Sequence, residues 1–393
     1  MNARTPANPT SPAPVIPEYP FVNELRLTGR QWVCVFALVA LALLLTSPLW
    51  KRVERFETGT DYRVPYALSK DYWLYERWLA RSDPQDSVVM IGDSVVWGEY
   101  VLANGTWSHF LSQQSGKTGK FINGGVNGLF PLAMQGLVDH HGNPLRNRRI
   151  ILHCNPLWLS SPKADLQTDK EEKFNHVQLV PQFSPRIPCY RADANTRISA
   201  VVGQQIPFLG WVDHLQNAYF NQKSILSWTL QDDGNEPPHY PNSYLNPLAQ
   251  ITGTVPGPPV TDPQRGPESQ RHQAWNASGN GPTQFEWVSL ESSLQWQGFR
   301  NTLQILRERG NNVLVIVGPF NENLVARDNR APFLKLRDGI AAWLKQNQIP
   351  HFVPEPLPSE LYADASHPLT AGYELLAKQT LEDSEVIKWL GVR

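Results

Sequence analysis

One stretch decides how the chain folds: residues 88–98, Val-Val-Met-Ile-Gly-Asp-Ser-Val-Val-Trp-Gly. Its first four residues are apolar and three of them are β-branched, which is typical of a short buried strand. Gly92 ends this run, and Asp93 and Ser94 follow it directly. In a parallel α/β sheet, a hydroxyl at this position lies at the carboxyl edge, where such proteins open their binding sites. Taken alone, the pattern is also that of an ordinary turn.

A second polar motif near the C-terminus favours a site over a turn. Asp364 and His367 are three residues apart, and Pro368 suits the first position of a helix, so the acid and the imidazole are expected in one tight turn. A serine nucleophile needs a base within hydrogen-bond reach and a third group that fixes the tautomer of that base. Ser94, His367 and Asp364 supply these groups and are the candidate catalytic residues.

The pairing of Gly-Asp-Ser near the start of a domain with Asp-x-x-His near its end resembles the GDSL/SGNH hydrolase family. Residues 122–128, Ile-Asn-Gly-Gly-Val-Asn-Gly, and residues 150–156, Ile-Ile-Leu-His-Cys-Asn-Pro, resemble its two middle blocks. The resemblance implies an oxyanion hole made of the backbone N–H groups of Ser94 and Gly128 and the side chain of Asn155. It implies no metal and no organic cofactor.

The chain departs from the family's pattern at three positions. The first block ends in Val95 where the family usually has leucine, and the third block has His153 in place of a glycine and Pro156 in place of an aspartate. The third-block changes bear on Asn155, which lies between them.

Apolar segments beyond residue 85 alternate with amphipathic ones, which predicts a doubly wound parallel sheet. Strands are expected at residues 88–91, 121–123, 150–154, 313–317 and 351–353, and helices at residues 106–114, 132–140, 290–308 and 333–346. With the resemblance, this implies a three-layer, flavodoxin-like SGNH fold over residues 85–393, with the candidate residues on loops after strands.

The N-terminal region predicts a membrane anchor. Residues 1–30 are read as a disordered tail, and residues 31–50 carry no charge over about twenty positions, enough for a helix of roughly 30 Å that crosses a bilayer. Trp32 and Trp50 suit the two interfaces. A cleaved signal peptide is the alternative, but no Ala-x-Ala site follows. Residues 51–84 are expected to form a linker helix.

The orientation of this single span is balanced in the sequence. Basic residues flank it on both sides and lean slightly toward a cytoplasmic C-terminal domain. The resemblance to anchored SGNH-like proteins that face outward implies an extracytoplasmic catalytic domain instead, and this is our expectation.

A long insertion, residues 157–290, interrupts the predicted domain. Residues 232–282 are rich in Pro, Gly, Asn and Ser, as in loops or disorder, whereas Trp211–Leu230 suggests an amphipathic helix. The insertion is either a solvated decoration or a wall over the site. An anchor, a long insertion and Pro156 to Trp158 after the third strand are also similar to the D-alanyl transfer protein of teichoic-acid modification, a plan that alginate O-acetylation proteins share.

The net charge of −1 over 393 residues indicates no strong preference for nucleic acid. Three cysteines offer at most a Cys154–Cys189 pair and no zinc pattern. Nothing here indicates an oligomeric state.

The sequence thus predicts a serine esterase with an ester-bearing substrate, possibly a polysaccharide or another envelope-associated ester. An acyl- or O-acetyltransferase acting on a cell-surface polysaccharide is one alternative. A catalytically silent, membrane-anchored binding or assembly factor is another.

Overall fold

The structure is a computed structural model that describes residues 27–83, 85–230, 245–257, 273–277, 279 and 281–391. The strands are β1 (Val88–Gly92), β2 (Phe121–Gly125), β3 (Arg149–Cys154), β4 (Asn312–Val317) and β5 (His351–Phe352). The helices are α1 (Gly29–Val53), α2 (Tyr72–Ala80), α3 (Ser94–Trp97), α4 (Trp107–Gln114), α5 (Pro131–His141), α6 (Ala194–Gln205), α7 (Pro207–Tyr219), α8 (Ile225–Thr229), α9 (Pro247–Gln250), α10 (Leu294–Glu308), α11 (Arg330–Gln346), α12 (Thr370–Glu382) and α13 (Ser384–Leu390).

The five strands form one parallel sheet in the order β2-β1-β3-β4-β5. This is the flavodoxin-like order of doubly wound proteins, whose sites open at the carboxyl ends of the strands. The mixed α/β fold with a parallel sheet, predicted from alternating strands and helices, is therefore confirmed. Each predicted strand lies within two residues of an observed one.

Helices cover both faces of the sheet because successive strand residues point to opposite sides. Val89 and Ile91 of β1 belong to one apolar cluster with residues of α2, α5, α10 and α11. Val88 and Met90 belong to a second cluster with residues of α4, α12 and α13. The result is three layers with the sheet in the middle.

The start of α10 differs from the expected residue 290. The helix begins at Leu294 because Ser293 caps it, with its side chain accepting a hydrogen bond from Trp296 N–H. Asp165 of the insertion accepts two more, from Leu294 N–H and Gln295 N–H. These bonds satisfy free N–H groups of the first turn, which fixes the helix end.

Residues 51–84 do not form the expected linker helix. The α-helical part of this segment is confined to the end of α1 and to α2, and Asp71 caps α2 by accepting from Leu74 N–H at 2.9 Å. Leu74 and Leu79 are fully buried in the main core. The segment is thus part of the domain's packing, because its apolar residues face the sheet and not solvent.

The helix α1 is long and apolar enough to cross a membrane. It begins at Gly29 and so takes in the last two residues of the expected tail, of which residues 1–26 lie outside the described residues. Two compact units divide the chain, one up to Thr46 and one from Ser47 onward. The last turns of α1 therefore belong to the same unit as the sheet.

The described part of the insertion contains the helices α6 to α9. Trp211–Leu230, predicted as one helix, is instead the end of α7 followed by α8. The break is at Asn221 and Gln222, whose φ angles of 52° and 63° are left-handed and cannot continue a helix. Much of the expected loop at 232–282 lies outside the described residues. Cys154 and Cys189 are both free thiols and do not pair.

A buried ion cluster joins the end of α1 to α2 and α7. His214 of α7 contacts Asp71 Oδ2 with Nδ1 at 2.7 Å and Glu54 Oε1 with Nε2 at 2.9 Å. Arg77 also pairs with Glu54, and Tyr219 donates its hydroxyl to the same carboxylate. Burial alone lowers the pKa of His214, but Asp71 and Glu54 outweigh it and raise this pKa to about 9.

Candidate active site

Ser94, His367 and Asp364 lie together at the carboxyl edge of the sheet. Ser94 is the first residue of α3, directly after β1 and its cap Asp93, and its Oγ is 2.7 Å from His367 Nε2. His367 Nδ1 is 2.7 and 2.8 Å from the two oxygens of Asp364. These distances suit a nucleophile, a base and an orienting carboxylate in one hydrogen-bonded chain.

The turn that holds Asp364 and His367 is fixed by its own backbone. Asp364 Oδ1 accepts hydrogen bonds from Ser366 N–H and His367 N–H, both at 2.9 Å. Burial alone would raise the pKa of Asp364, but the charge of His367 and these hydrogen bonds hold it below its usual value. Asp364 is therefore ionised and ready to orient the imidazole.

The imidazole of His367 is surrounded by carboxylates. Burial favours its neutral form, but the charge and hydrogen bond of Asp364, with smaller effects of Glu99 and Asp93, raise its pKa to about 9. A base with this pKa accepts a proton readily, yet only the neutral fraction is available below pH 9.

Asp93 organises the turn that carries Ser94. Its Oδ1 accepts from Val95 N–H at 3.0 Å and from His153 Nδ1 at 3.1 Å. Its Oδ2 accepts from Asn155 Nδ2 at 2.9 Å and from Trp158 Nε1 at 3.0 Å. The carboxylate is 2% exposed, so four donors replace water around a buried charge.

This arrangement gives His153 and Trp158 supporting roles that sequence reasoning missed. Burial would raise the pKa of Asp93, but the charge and hydrogen bond of His153 and the hydrogen bond of Asn155 lower it. His153 Nε2 is buried and has no hydrogen-bond partner within the described part of the chain. The signal in the sequence was an aspartate at a helix cap, whose side chain commonly binds nearby donors.

Asn155 lies beside the nucleophile's turn, as the resemblance implies, but its side chain is already engaged. Nδ2 donates one hydrogen to Asp93, and Oδ1 accepts from Leu157 N–H at 3.0 Å. Because a primary amide carries two N–H donors, one remains beyond the bond to Asp93. Pro156 starts the 3₁₀ turn Pro156–Leu159, which brings Trp158 to Asp93.

Gly128 lies on the loop after β2, and its backbone excludes other residues. Its φ is 71°, and a Cβ there would be 2.3 Å from Asn175 Nδ2. The end of β2 also packs directly on α3, since a Cβ at Gly125 would be 2.3 Å from Trp97 N. This close approach carries the Gly128 loop alongside the helix that begins at Ser94.

Glu99 and Tyr100 border the imidazole on its open side and were not singled out from the sequence. Glu99 Oε2 is 3.9 Å from His367 Nε2 and accepts a hydrogen bond from Asn127 Nδ2 at 3.1 Å. The Tyr100 ring meets the His367 ring edge to face at 5.4 Å. Neither residue belongs to a motif. They lie beside His367 because the short helix α3 ends just before them.

Among the described residues, no cluster of three or more His, Cys, Asp or Glu side chains could hold a metal ion. The arrangement suits acyl chemistry at Ser94 with the chain's own acid and base.

The fold and the site define a mixed α/β protein with a parallel five-stranded sheet and a Ser-His-Asp arrangement at its carboxyl edge. No protein-family model matches the chain, and no curated protein matches it. Among solved structures, it is similar to a candidate lipolytic protein of the G-D-S-L family from Desulfitobacterium hafniense DCB-2. The two are 10% identical with a TM-score of 0.33, over 75% of this chain and 97% of that chain. The functional argument therefore rests on the geometry of the site.

Proposed function

We propose that this protein is a serine esterase of the SGNH type that cleaves an ester through Ser94, His367 and Asp364. The observation that carries the proposal is the continuous hydrogen-bonded chain from Ser94 Oγ through His367 to Asp364. A serine that serves only as a turn residue has no need of a buried imidazole oriented by a carboxylate.

In the first half of the reaction, His367 Nε2 takes the Ser94 proton as Oγ attacks the ester carbonyl carbon. The tetrahedral intermediate then collapses, His367 gives the proton to the leaving oxygen, and an alcohol departs from the acyl-enzyme. In the second half, His367 removes a proton from water, whose oxygen attacks the acyl carbon. The second tetrahedral intermediate then collapses, His367 returns this proton to the departing Ser94 Oγ, and the acid is released. Asp364 holds Nδ1–H throughout, so that Nε2 is the basic nitrogen.

The oxyanion is proposed to be held by the N–H groups of Ser94 and Gly128 and by the second amide hydrogen of Asn155. The bond from Asn155 Nδ2 to Asp93 supports this role because it fixes the amide plane beside the nucleophile's turn. Prearranged donors of this kind are worth a factor of about 10²–10³ in rate each.

Two other activities use parts of the same scaffold. If a sugar hydroxyl reaches the acyl-enzyme before water, the site acts as an acyltransferase on a polysaccharide. A catalytically silent binding factor was suggested by the altered third block. That departure has a structural reason, however, since His153 and the turn begun by Pro156 both serve Asp93.

We further propose that α1 anchors the protein in a membrane as a single span, with the catalytic unit on the extracytoplasmic side. The length and apolar composition of α1 support the span. The side of the membrane follows from the resemblance and not from the charge balance around the span.

The test is labelling of the full-length protein by a fluorophosphonate together with turnover of a short aryl ester. Ser94→Ala is expected to abolish both, and Asp364→Asn to lower turnover about 10⁴-fold, because the amide no longer holds the correct tautomer. Ser115→Ala, at the half-buried residue that follows α4, is the matched control and should change neither. Wild-type protein that neither reacts nor turns over esters, yet binds a polysaccharide equally well with Ser94→Ala, would establish the silent scaffold instead.

A further inference from the structure

A cavity of about 340 Å³ borders the candidate site at Gly128. Its volume lies within the range of about 300–1,000 Å³ that is usual for small-molecule sites. The walls come from the loop after β2, the first turn of α5, the segment 161–180 of the insertion, and the start of α10. They consist of Gly128, Phe130, Leu132, Ala133, Ser161, Lys163, Ala164, Leu166, Glu172, Lys173, Phe174, Asn175, Val180 and Gln295.

Most of the surface that lines this cavity is apolar. Phe130, Leu132, Leu166, Phe174 and Val180 present hydrocarbon surface, and Leu166 and Val180 are almost fully buried. An apolar surface of this kind favours a hydrocarbon ligand, since each methylene moved out of water adds to binding.

Four of the six polar side chains that line the cavity, those of Ser161, Lys163, Glu172 and Gln295, are engaged with the protein, and the other two, Lys173 and Asn175, are exposed. Gln295 accepts from Leu132 N–H at 3.0 Å and donates to Ala164 O at 3.2 Å. Lys163 and Glu172 pair with each other at 3.0 Å, with the lysine well exposed. No polar ligand is needed to satisfy these groups, so an uncharged chain suits the interior better than a sugar.

The cavity and the candidate site share one residue, Gly128. Gly128 forms part of its wall and is the residue proposed to hold the oxyanion. Asn127, next to it, donates to Glu99, which lies 3.9 Å from His367 Nε2. An acyl group whose carbonyl oxygen lies at Gly128 therefore has the cavity open beside it.

We infer that this cavity binds the acyl chain of the ester, and that the acyl group is a medium-length hydrocarbon chain, not acetyl. The inference rests on the proposed esterase function, because it names the acyl group that the same site takes. In this proposal the insertion forms a wall of the substrate site, and it is not a solvated decoration.

The test is a chain-length series of p-nitrophenyl esters, from acetate to octanoate, with the full-length protein in lipid nanodiscs. kcat/KM is expected to rise roughly fourfold for each added methylene until the cavity is full. Ala164→Leu, which fills part of the cavity from a half-buried position, should lower the octanoate-to-acetate ratio of kcat/KM at least tenfold. Ala342→Leu, exposed on α11, is the matched control and should keep the wild-type ratio.

The octanoate-to-acetate ratio of each variant is compared with that of the wild type. Long esters partition into lipid to the same extent with both proteins, so the partition cancels in this comparison. Phe174→Ala enlarges the cavity and should move the preferred chain to greater length, which tests the inference even if Ala164→Leu does not fold. Ester turnover with no dependence on chain length, or ratios unaffected by both variants, overturns the inference and leaves the esterase proposal standing. Absence of turnover and of fluorophosphonate labelling in the wild type overturns both.

Discussion

The carboxylate of Asp93 lies outside the proposed Ser94-His367-Asp364 triad, yet it accepts four hydrogen bonds one residue before Ser94. Asp93→Asn keeps its shape but removes its charge and turns one acceptor into a donor. At least one pair of buried donors then loses its acceptor, which costs about 3–5 kcal/mol of stability as for a broken buried ion pair.

Denaturant unfolding of Asp93→Asn measures this cost, and the rate of fluorophosphonate labelling should fall with it. Asp86→Asn, whose carboxylate is exposed beside Lys117, is the control and should shift stability by no more than about 0.5 kcal/mol. Equal stability of the two variants would mean that the turn does not depend on the buried charge.

Glu99 offers a test through pH. The proposed base works only when His367 is neutral, so the acylation rate should rise with pH toward a plateau above about 9, the raised pKa of this imidazole. Glu99 helps to raise that pKa, because its negative charge favours the protonated ring.

Glu99→Gln is therefore expected to move the rising limb of the pH–rate profile to lower pH, by roughly one pH unit. The measurement is kcat/KM for an aryl ester between pH 6 and 10. Glu374→Gln, an exposed position on α12, should leave the limb in place. An unmoved limb in Glu99→Gln would remove Glu99 from the electrostatics of the base.

At the scale of elements, His214 of α7 holds the end of α1 and the start of α2 together. The ring binds Glu54 after α1 and Asp71 at the cap of α2, and Trp73 stacks on it at 4.4 Å. His214→Ala leaves two buried carboxylates without this partner, and we expect a loss of about 3–5 kcal/mol in the free energy of unfolding.

His109→Ala is the matched control, because His109 pairs with Asp61 in a partly exposed position and should cost less than about 1 kcal/mol. The contribution of His214 to stability should also change with pH in a definite direction. Its folded pKa of about 9 lies above the ordinary 6.5, so this stabilisation is complete below 6.5 and is lost as pH rises through 9. A wild-type melting temperature that is flat from pH 6.5 to 9.5 would contradict this.

The elements that sequence reasoning found are those with a local signal. The strand at 88–92 is marked by four apolar residues before a glycine, and Ser94 and His367 by short motifs. Glu54 and His214 are 160 residues apart and belong to no pattern, so their pairing could not be predicted. The start of α10 depends in the same way on Asp165, more than a hundred residues earlier. Contacts of this kind depend on tertiary packing, and the helix and strand propensities of single residues carry no information about it.

For the whole molecule, the compact unit that begins at Ser47, our proposed catalytic unit, predicts where the chain can be cut. Ser47 Oγ accepts from Trp73 Nε1 at 2.9 Å, and Trp50 meets Trp211 at 5.9 Å between ring centres. A protein of residues 47–393 should leave the membrane fraction while keeping full-length rates of fluorophosphonate labelling.

A protein of residues 57–393 lacks Ser47, Trp50 and Glu54 and should melt at a lower temperature than the longer fragment. The comparison uses fractionation, thermal unfolding and labelling of both fragments beside the full chain. Equal melting of the two fragments would place the end of α1 outside the catalytic unit, and a 47–393 fragment that stays with the membrane would show that α1 is not the anchor.

The hydrogen bonds around Asp93 have a consequence for how this site can vary. A Cβ at Gly92 would lie 2.5 Å from Val96 Cγ2 and 2.8 Å from His153 Cβ, so the strand beside His153 has room only for glycine here. Trp158 reaches Asp93 through the turn that Pro156 begins. Replacing His153 by the glycine of the family's pattern removes one donor and empties buried space at once. These positions are therefore epistatic: single replacements pass through destabilised intermediates, and the local pattern can be exchanged only as a set.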